Sequence, residues 1–250
     1  MEFNVSRSPP PVMILGCGRS GTSIFGELFD HIGDYAYQSE PPFETVMAAD
    51  YSRPQAFKVP RESEAHSPDP GLPFPLSTLL QCVPGMKFFW IVRHPLDAIS
   101  SLRVGISKNW GHHPRPPDWR DWLSRPLVER CAHHWAFLNS VRFEQVKDRA
   151  TVVRFKTMID DPEGFAVFVC KTLGIDDADR TEGIAAWSKR VQNTNNPSFV
   201  EAKTSRDYSR RDHSVRVGRW RENLSEADVI RVLPLIAEAS RSFDYRLPEV

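Results

Sequence analysis

The first apolar run, Val12 to Leu15, is short and unbroken, with prolines before it and glycines after it. A run without polar alternation predicts a strand buried on both faces, as in a parallel sheet. Beyond Gly16-Cys17-Gly18-Arg19-Ser20-Gly21-Thr22-Ser23, the residues Ile24, Phe25, Leu28, Phe29 and Ile32 recur at helical spacing until Gly33, a natural C-cap. The chain therefore opens with strand, glycine-rich loop and helix. A second unit starts at Phe88, where Phe-Phe-Trp-Ile-Val predicts another buried strand. Arg93-His94 follows, then a helix over 95–102 that opens on a first-turn proline. A third strand, 151–155, precedes a helix on which Phe165, Phe168, Val169 and Leu173 share a face before Gly174. Near the C-terminus, Ser225 is an N-cap with Asp228 three residues on, so a helix should follow, kinked or split at Pro234. Strands alternating with helices imply one α/β domain over 1–250, three layers around a parallel sheet.

Two proline-rich segments, 53–75 and 112–126, interrupt this pattern and read as functional loops or lids, with a solvated surface loop as the alternative. Residues 1–11 read as a flexible N-terminus. Trp110, Trp119 and Trp122 lie in or beside the second insertion; a local hydrophobic cluster is the simpler reading, stacking on an acceptor ring the other. Trp135 and Trp220 read as core.

Composition narrows the partners. With 40% hydrophobic and 11% aromatic residues the chain can bury enough apolar surface to fold. Its 32 Lys+Arg balance 32 Asp+Glu, and a zero net charge argues against nucleic acid or a membrane surface as partner. The apolar run before Gly16 is too short for a signal sequence, and no stretch reaches transmembrane length. Cys17, Cys82, Cys131 and Cys170 are widely spaced and form no C-x-x-C, which suits a reducing, cytoplasmic setting. Adjacent side chains do not share a helical face, so His112-His113 and His133-His134 are not natural chelates; no metal is expected.

A glycine-rich turn between a buried strand and a helix N-terminus is an anion site, because backbone N–H groups and the helix dipole point into one concavity. Gly16, four residues and Gly21 nearly reproduce the Walker A spacing, but Thr22-Ser23 stands where that motif needs Lys followed by Ser or Thr. The cation comes earlier, at Arg19. This disfavours, without removing, a P-loop phosphotransferase using Mg-ATP. Nor does Gly18-Arg19-Ser20-Gly21 fit G-x-S-x-G, so Ser20 reads as an anion ligand rather than a nucleophile.

Arg19-Ser20-Gly21-Thr22 after a buried strand resembles the 5′-phosphosulfate loop of sulfotransferases, which carries Lys or Arg followed by Ser-Gly-Thr. Arg93 and Ser101, eight residues apart from a strand end, resemble that family's 3′-phosphate motif. Lys58-Val59-Pro60 is similar to its K-x-P element. Arg154-Phe155 through Asp161-Pro162-Glu163 is similar to its strand-turn-helix, and Gly218-Arg219-Trp220 to its G-x-W element. The chain departs from cytosolic sulfotransferases at Ile24, where they carry a tryptophan for adenine stacking, and lacks their Arg-Lys-Gly triad before Gly218.

The resemblance implies a P-loop NTPase-like fold and an enzyme that moves a sulfuryl group from 3′-phosphoadenosine 5′-phosphosulfate to an acceptor hydroxyl without metal. The acceptor would be a glycan, a glycolipid or a small molecule. Gly18, Arg19, Ser20, Gly21, Thr22 and Ser23 would hold the phosphosulfate, and Arg93 and Ser101 the 3′-phosphate, with Gly218 also at the donor. Glu40 matches the base that takes the acceptor proton, with Glu44 as a second candidate; a carboxylate in a dry, closed site suits that task. Lys58 would orient the sulfonate or acceptor. Between 205 and 221 six arginines face two aspartates, a local cationic excess from which Arg216 is the candidate phosphate contact. A non-catalytic nucleotide-binding scaffold of the same fold is the remaining alternative.

Overall fold

In the computed structural model, residues 8–59, 81, 83–106, 110–112, 114–193 and 217–249 are described. Among the described residues, five strands form one parallel sheet: β1 (Val12–Gly16), β2 (Ala36–Ser39), β3 (Gln55–Lys58), β4 (Lys87–Val92) and β5 (Ala150–Arg154). Their order is β2-β3-β1-β4-β5, with β1 central. The helices are α1 (Thr22–Ile32), α2 (Phe43–Met47), α3 (Pro95–Ile106), α4 (Leu127–Phe137), α5 (Phe155–Asp160), α6 (Pro162–Leu173), α7 (Thr181–Asn193), α8 (Trp220–Asn223) and α9 (Glu226–Arg241).

Strand side chains alternate between the two faces and so feed two cores. Met13, Leu15, Phe57, Phe88, Trp90 and Val92 pack with residues of α3, α4 and α9. Val12, Ile14, Ala56, Phe89 and Ile91 pack with residues of α1, α6 and α7 on the other face. The result is the three-layer α/β fold that the alternation of elements predicts. Phe25 of α1 anchors the second core, edge-on to Phe89 at 5.4 Å and to Phe165 at 5.0 Å between ring centroids. Full burial of such a ring contributes about 1.5–3 kcal/mol.

Several expectations are corrected. β2 and β3 are additional strands, and β3 lies inside the segment 53–75 read as a loop. Its sequence Gln-Ala-Phe-Lys carries no apolar run, yet all four residues are buried, because Gln55 and Lys58 find hydrogen-bond partners. Residues 60–75 of that segment lie outside the described residues. The third expected strand ends at Arg154, and Phe155 already begins α5. Phe168 is 47% exposed, since the buried stripe of α6 runs through Pro162, Phe165, Ala166, Val169, Cys170 and Leu173, about 130° away on a helix of 3.6 residues per turn. Helix α9 is not split at Pro234. Both Pro234 and Ile230, whose carbonyl loses its i+4 donor, are exposed, so water can serve that carbonyl. Trp220 is half-buried against the core rather than within it.

The capping box forms: Ser225 accepts from the Asp228 N–H, and the Asp228 side chain from that of Ser225. At the N-terminus the Pro10 carbonyl accepts from the Tyr35 hydroxyl and the Pro11 carbonyl from Lys87 N–H, so these two prolines are tied to the body. Residues 1–7 lie outside the described residues.

Candidate active site

Strands β1 and β4 run side by side with Gly16 opposite Ile91, so the loops that follow them emerge together at one edge of the sheet. The connection from β1 leads toward β2 and β3, and β4 leads away to β5; such a reversal of strand order opens a crevice at the carboxyl ends. The loop after β1 is drawn tight by Ser20 N–H donating to Cys17 O at 3.2 Å. Arg19 (φ 66°) and Gly21 (φ 93°) take left-handed conformations, which turn successive N–H groups into one concavity. A β-carbon at Gly21 would come within 2.6 Å of the Phe155 ring, so only glycine fits there. Gly21 is also the N-cap of α1 and supplies no side-chain capping bond, which leaves first-turn N–H groups directed at the crevice. Ser20 is fully buried, and its hydroxyl has no hydrogen-bond partner among the described residues. An anion oxygen is the partner that this cradle would accept.

The two cationic motifs meet directly. Arg19 Nε donates to Ser101 Oγ at 3.0 Å, and Arg93 Nη1 donates to the Arg19 carbonyl at 2.9 Å. Arg93 is 7% exposed, and its guanidinium lies 4.4 Å from the Phe155 ring centroid. Burial pushes the Arg93 pKa down to about 10; Asp97 opposes this, while Arg219 and Arg19 add to it. Arg19 is likewise lowered by burial and then by Arg219. Desolvated cations that repel one another favour a bound anion.

Arg219, which the sequence does not single out from its basic run, carries a charge that bears on both Arg19 and Arg93. Arg216, chosen from that run, lies outside the described residues. The signal was present in Gly218-Arg219-Trp220, but nothing local distinguishes one arginine of a basic run from another. The Gly218 amide donates to Asp97 Oδ2 at 2.8 Å, a buried carboxylate of α3.

A second group forms at the ends of β2 and β3. Lys58 is 3% exposed, and its Nζ donates to Glu40 Oε1 at 2.5 Å and to Ser23 Oγ at 3.3 Å. Glu40 N–H donates to the Lys58 carbonyl at 2.8 Å, an extension of the strand pairing past Ser39. The Glu40 side chain is 41% exposed, so its surroundings are not the dry pocket expected of the base. Glu44 is exposed on the first turn of α2. Ser23, in the first turn of α1, links this group to the glycine-rich loop. Thr22 beside it is buried, and Gly18 lies against the His112 ring.

The insertion at 112–126 packs its tryptophans on rings that flank it: Trp119 is edge-on to Trp110, and Trp122 stacks on His133 at 4.0 Å. His133 pairs with Asp118, and Trp110 Nε1 donates to His134 Nδ1 at 3.2 Å, so these histidines serve packing. Among the described residues no group of three or more His, Cys, Asp or Glu is placed to hold a metal ion. Cys17 is buried in the loop, and burial pushes its thiol pKa up, which suits the space-filling role. No helix of the described residues is long and apolar enough to cross a membrane.

No curated protein matches the sequence. The sulfotransferase family matches residues 58–179, a span that begins at Lys58 and includes Arg93 and Ser101. Among solved structures, the fold is similar to mouse sulfotransferase SULT7A1 complexed with PAP, at 18% identity and TM-score 0.56, over 96% of this chain and 86% of that one. The sulfotransferase domain of the Synechococcus PCC 7002 olefin synthase is similar at 14% identity and TM-score 0.57, over 99% of each chain. Retinol dehydratase in complex with androsterone and the inactive cofactor PAP is similar at 15% identity and TM-score 0.53, over 99% of this chain and 86% of that one. The glycine-rich loop, Arg93 and Ser101 thus gather at one sheet edge in a chain whose residues 58–179 match the sulfotransferase family and whose fold is similar to that of solved sulfotransferases.

Proposed function

We propose that the chain binds 3′-phosphoadenosine 5′-phosphosulfate at the crevice between β1 and β4 and transfers its sulfuryl group to an acceptor hydroxyl. The junction of Arg93, Arg19 and Ser101 carries this reading, because it sets two cationic motifs from distant parts of the chain in one place. When bound, the donor supplies a sulfuryl group on a phosphate that leaves as an anion. Gly18 to Ser23 hold that anion through backbone N–H groups and hydroxyls, and Arg19 neutralises the charge that grows during transfer. Arg93 and Ser101 take the 3′-phosphate, Arg93 through a guanidinium suited to two parallel hydrogen bonds. Arg219 joins them, beside Gly218 and the candidate Arg216.

Glu40 accepts the acceptor's proton, and Lys58, between Glu40 and Ser23, aligns the base with the loop. The scheme uses protein cations rather than a metal to stabilise charge. The acceptor is a hydroxyl-bearing glycan, glycolipid or small molecule. A cytoplasmic setting fits the free, buried thiols of Cys17, Cys131 and Cys170.

Thermal stability with adenosine 3′,5′-bisphosphate and no metal tests the donor site; a rise in Tm is expected. Stabilisation by Mg-ATP alone would overturn it in favour of a phosphotransferase. Labelled donor with a panel of hydroxyl acceptors then separates an enzyme from a binding scaffold.

A further inference from the structure

Asp97 sits in the first turn of α3 and is 2% exposed. A carboxylate at a helix N-terminus commonly serves its own helix. Here both oxygens also serve a distant segment: Oδ2 accepts from Gly218 N–H at 2.8 Å and Oδ1 from Trp220 N–H at 3.1 Å. Arg219 is the residue between those two amides. The Trp220 ring lies parallel to His94, with a 4° interplanar angle and 6.3 Å between centroids, a second contact to the same turn. Asp97 is also the buried negative charge nearest in sequence to Arg93.

We infer that Asp97 is a positioning residue whose carboxylate clasps the Gly218 and Trp220 amides and thereby sets Arg219 against the arginines of the donor crevice. A carboxylate suits this task better than an amide side chain, because both of its oxygens accept and it offsets the surrounding guanidinium charge. The inference rests on the donor reading above for the role of Arg219. The clasp itself stands on the two hydrogen bonds.

A double-mutant cycle on the full chain tests it, with adenosine 3′,5′-bisphosphate as the titrant. Asp97→Asn and Arg219→Ala should each weaken binding by about tenfold, and the double variant should be no weaker than the worse single one, as for residues acting as one unit. Losses that multiply in the double variant would overturn the positioning role. Hydrogen exchange of the ligand-free wild-type protein tests the clasp without any variant. The amides of Gly218 and Trp220 should be protected, and Asp97→Asn should release both while the amides of β1 and β4 stay protected; free exchange in the wild type would overturn the clasp. If the wild type binds no bisphosphate, the donor reading falls and the role of Arg219 with it, while the exchange result still decides whether Asp97 holds the turn.

Discussion

Arg19 Nε donates to Ser101 Oγ at 3.0 Å across 82 residues of sequence, joining the loop after β1 to the helix after β4. Ser101→Ala removes the acceptor and should weaken adenosine 3′,5′-bisphosphate binding by about five- to tenfold, the worth of a hydrogen bond of about 1 kcal/mol. Arg19→Ala removes the cation itself and should lower kcat by about 10²–10³-fold, as for loss of one transition-state donor. Titration calorimetry and initial rates separate the two. An Arg19→Ala enzyme with wild-type kcat would remove Arg19 from the chemistry.

Lys58 and Glu40 supply a sharper test of roles. Glu40→Gln keeps an oxygen for Lys58 but cannot take a proton, so turnover should fall about 10²–10⁴-fold with donor affinity nearly unchanged. Were Glu40 only the partner of Lys58, the amide would preserve most of the activity. Rates at saturating donor and acceptor distinguish these outcomes.

Gly21 and Gly33 share left-handed backbone but differ in their surroundings. A β-carbon at Gly21 meets the Phe155 ring at 2.6 Å, whereas none would meet an atom within 4 Å at Gly33. Gly33→Ala should therefore cost only backbone strain, about 1 kcal/mol, and Gly21→Ala about 3 kcal/mol or more. At about 2–4 °C per kcal/mol for a chain of this size, melting curves resolve the difference. Only Gly21→Ala should also lose bisphosphate binding.

Thiol labelling follows from burial. Burial pushes Cys17 and Cys131 far up and Cys170 up to about 11, so all three remain neutral thiols at pH 8. The thiolate is the nucleophile, and raising the pKa removes it. Native protein with iodoacetamide at pH 8 should leave Cys17, Cys131 and Cys170 unmodified by peptide mass spectrometry, whereas unfolded protein labels at all three. Labelling of native Cys17 at pH 8 would contradict its placement.

The elements legible in the sequence are those whose signals are local. β1 and β4 show as unbroken apolar runs, α1 as a helical stripe ending at Gly33, and α9 as a capping box. β3 stayed hidden because Gln55 and Lys58 are polar, and the groups that make their burial tolerable come from elsewhere: Asp50 O for one, Glu40 and Ser23 for the other. Phe168 went astray for a related reason. An apolar residue at helical spacing marks a candidate face, but the neighbour that covers it decides burial.

The same division holds at the site. Residue types and spacing marked Arg19 to Ser23, since a glycine-rich turn at a helix N-terminus is a pattern written in adjacent residues, and the resemblance to the sulfotransferase motif marked Arg93 and Ser101. That Arg93 reaches the Arg19 carbonyl, that Lys58 bridges Glu40 and Ser23, and that Asp97 seats the turn carrying Arg219 were decided by strand order and register. Those contacts depend on which strands lie side by side, and side-by-side packing is settled by burial over the whole sheet rather than by any one segment.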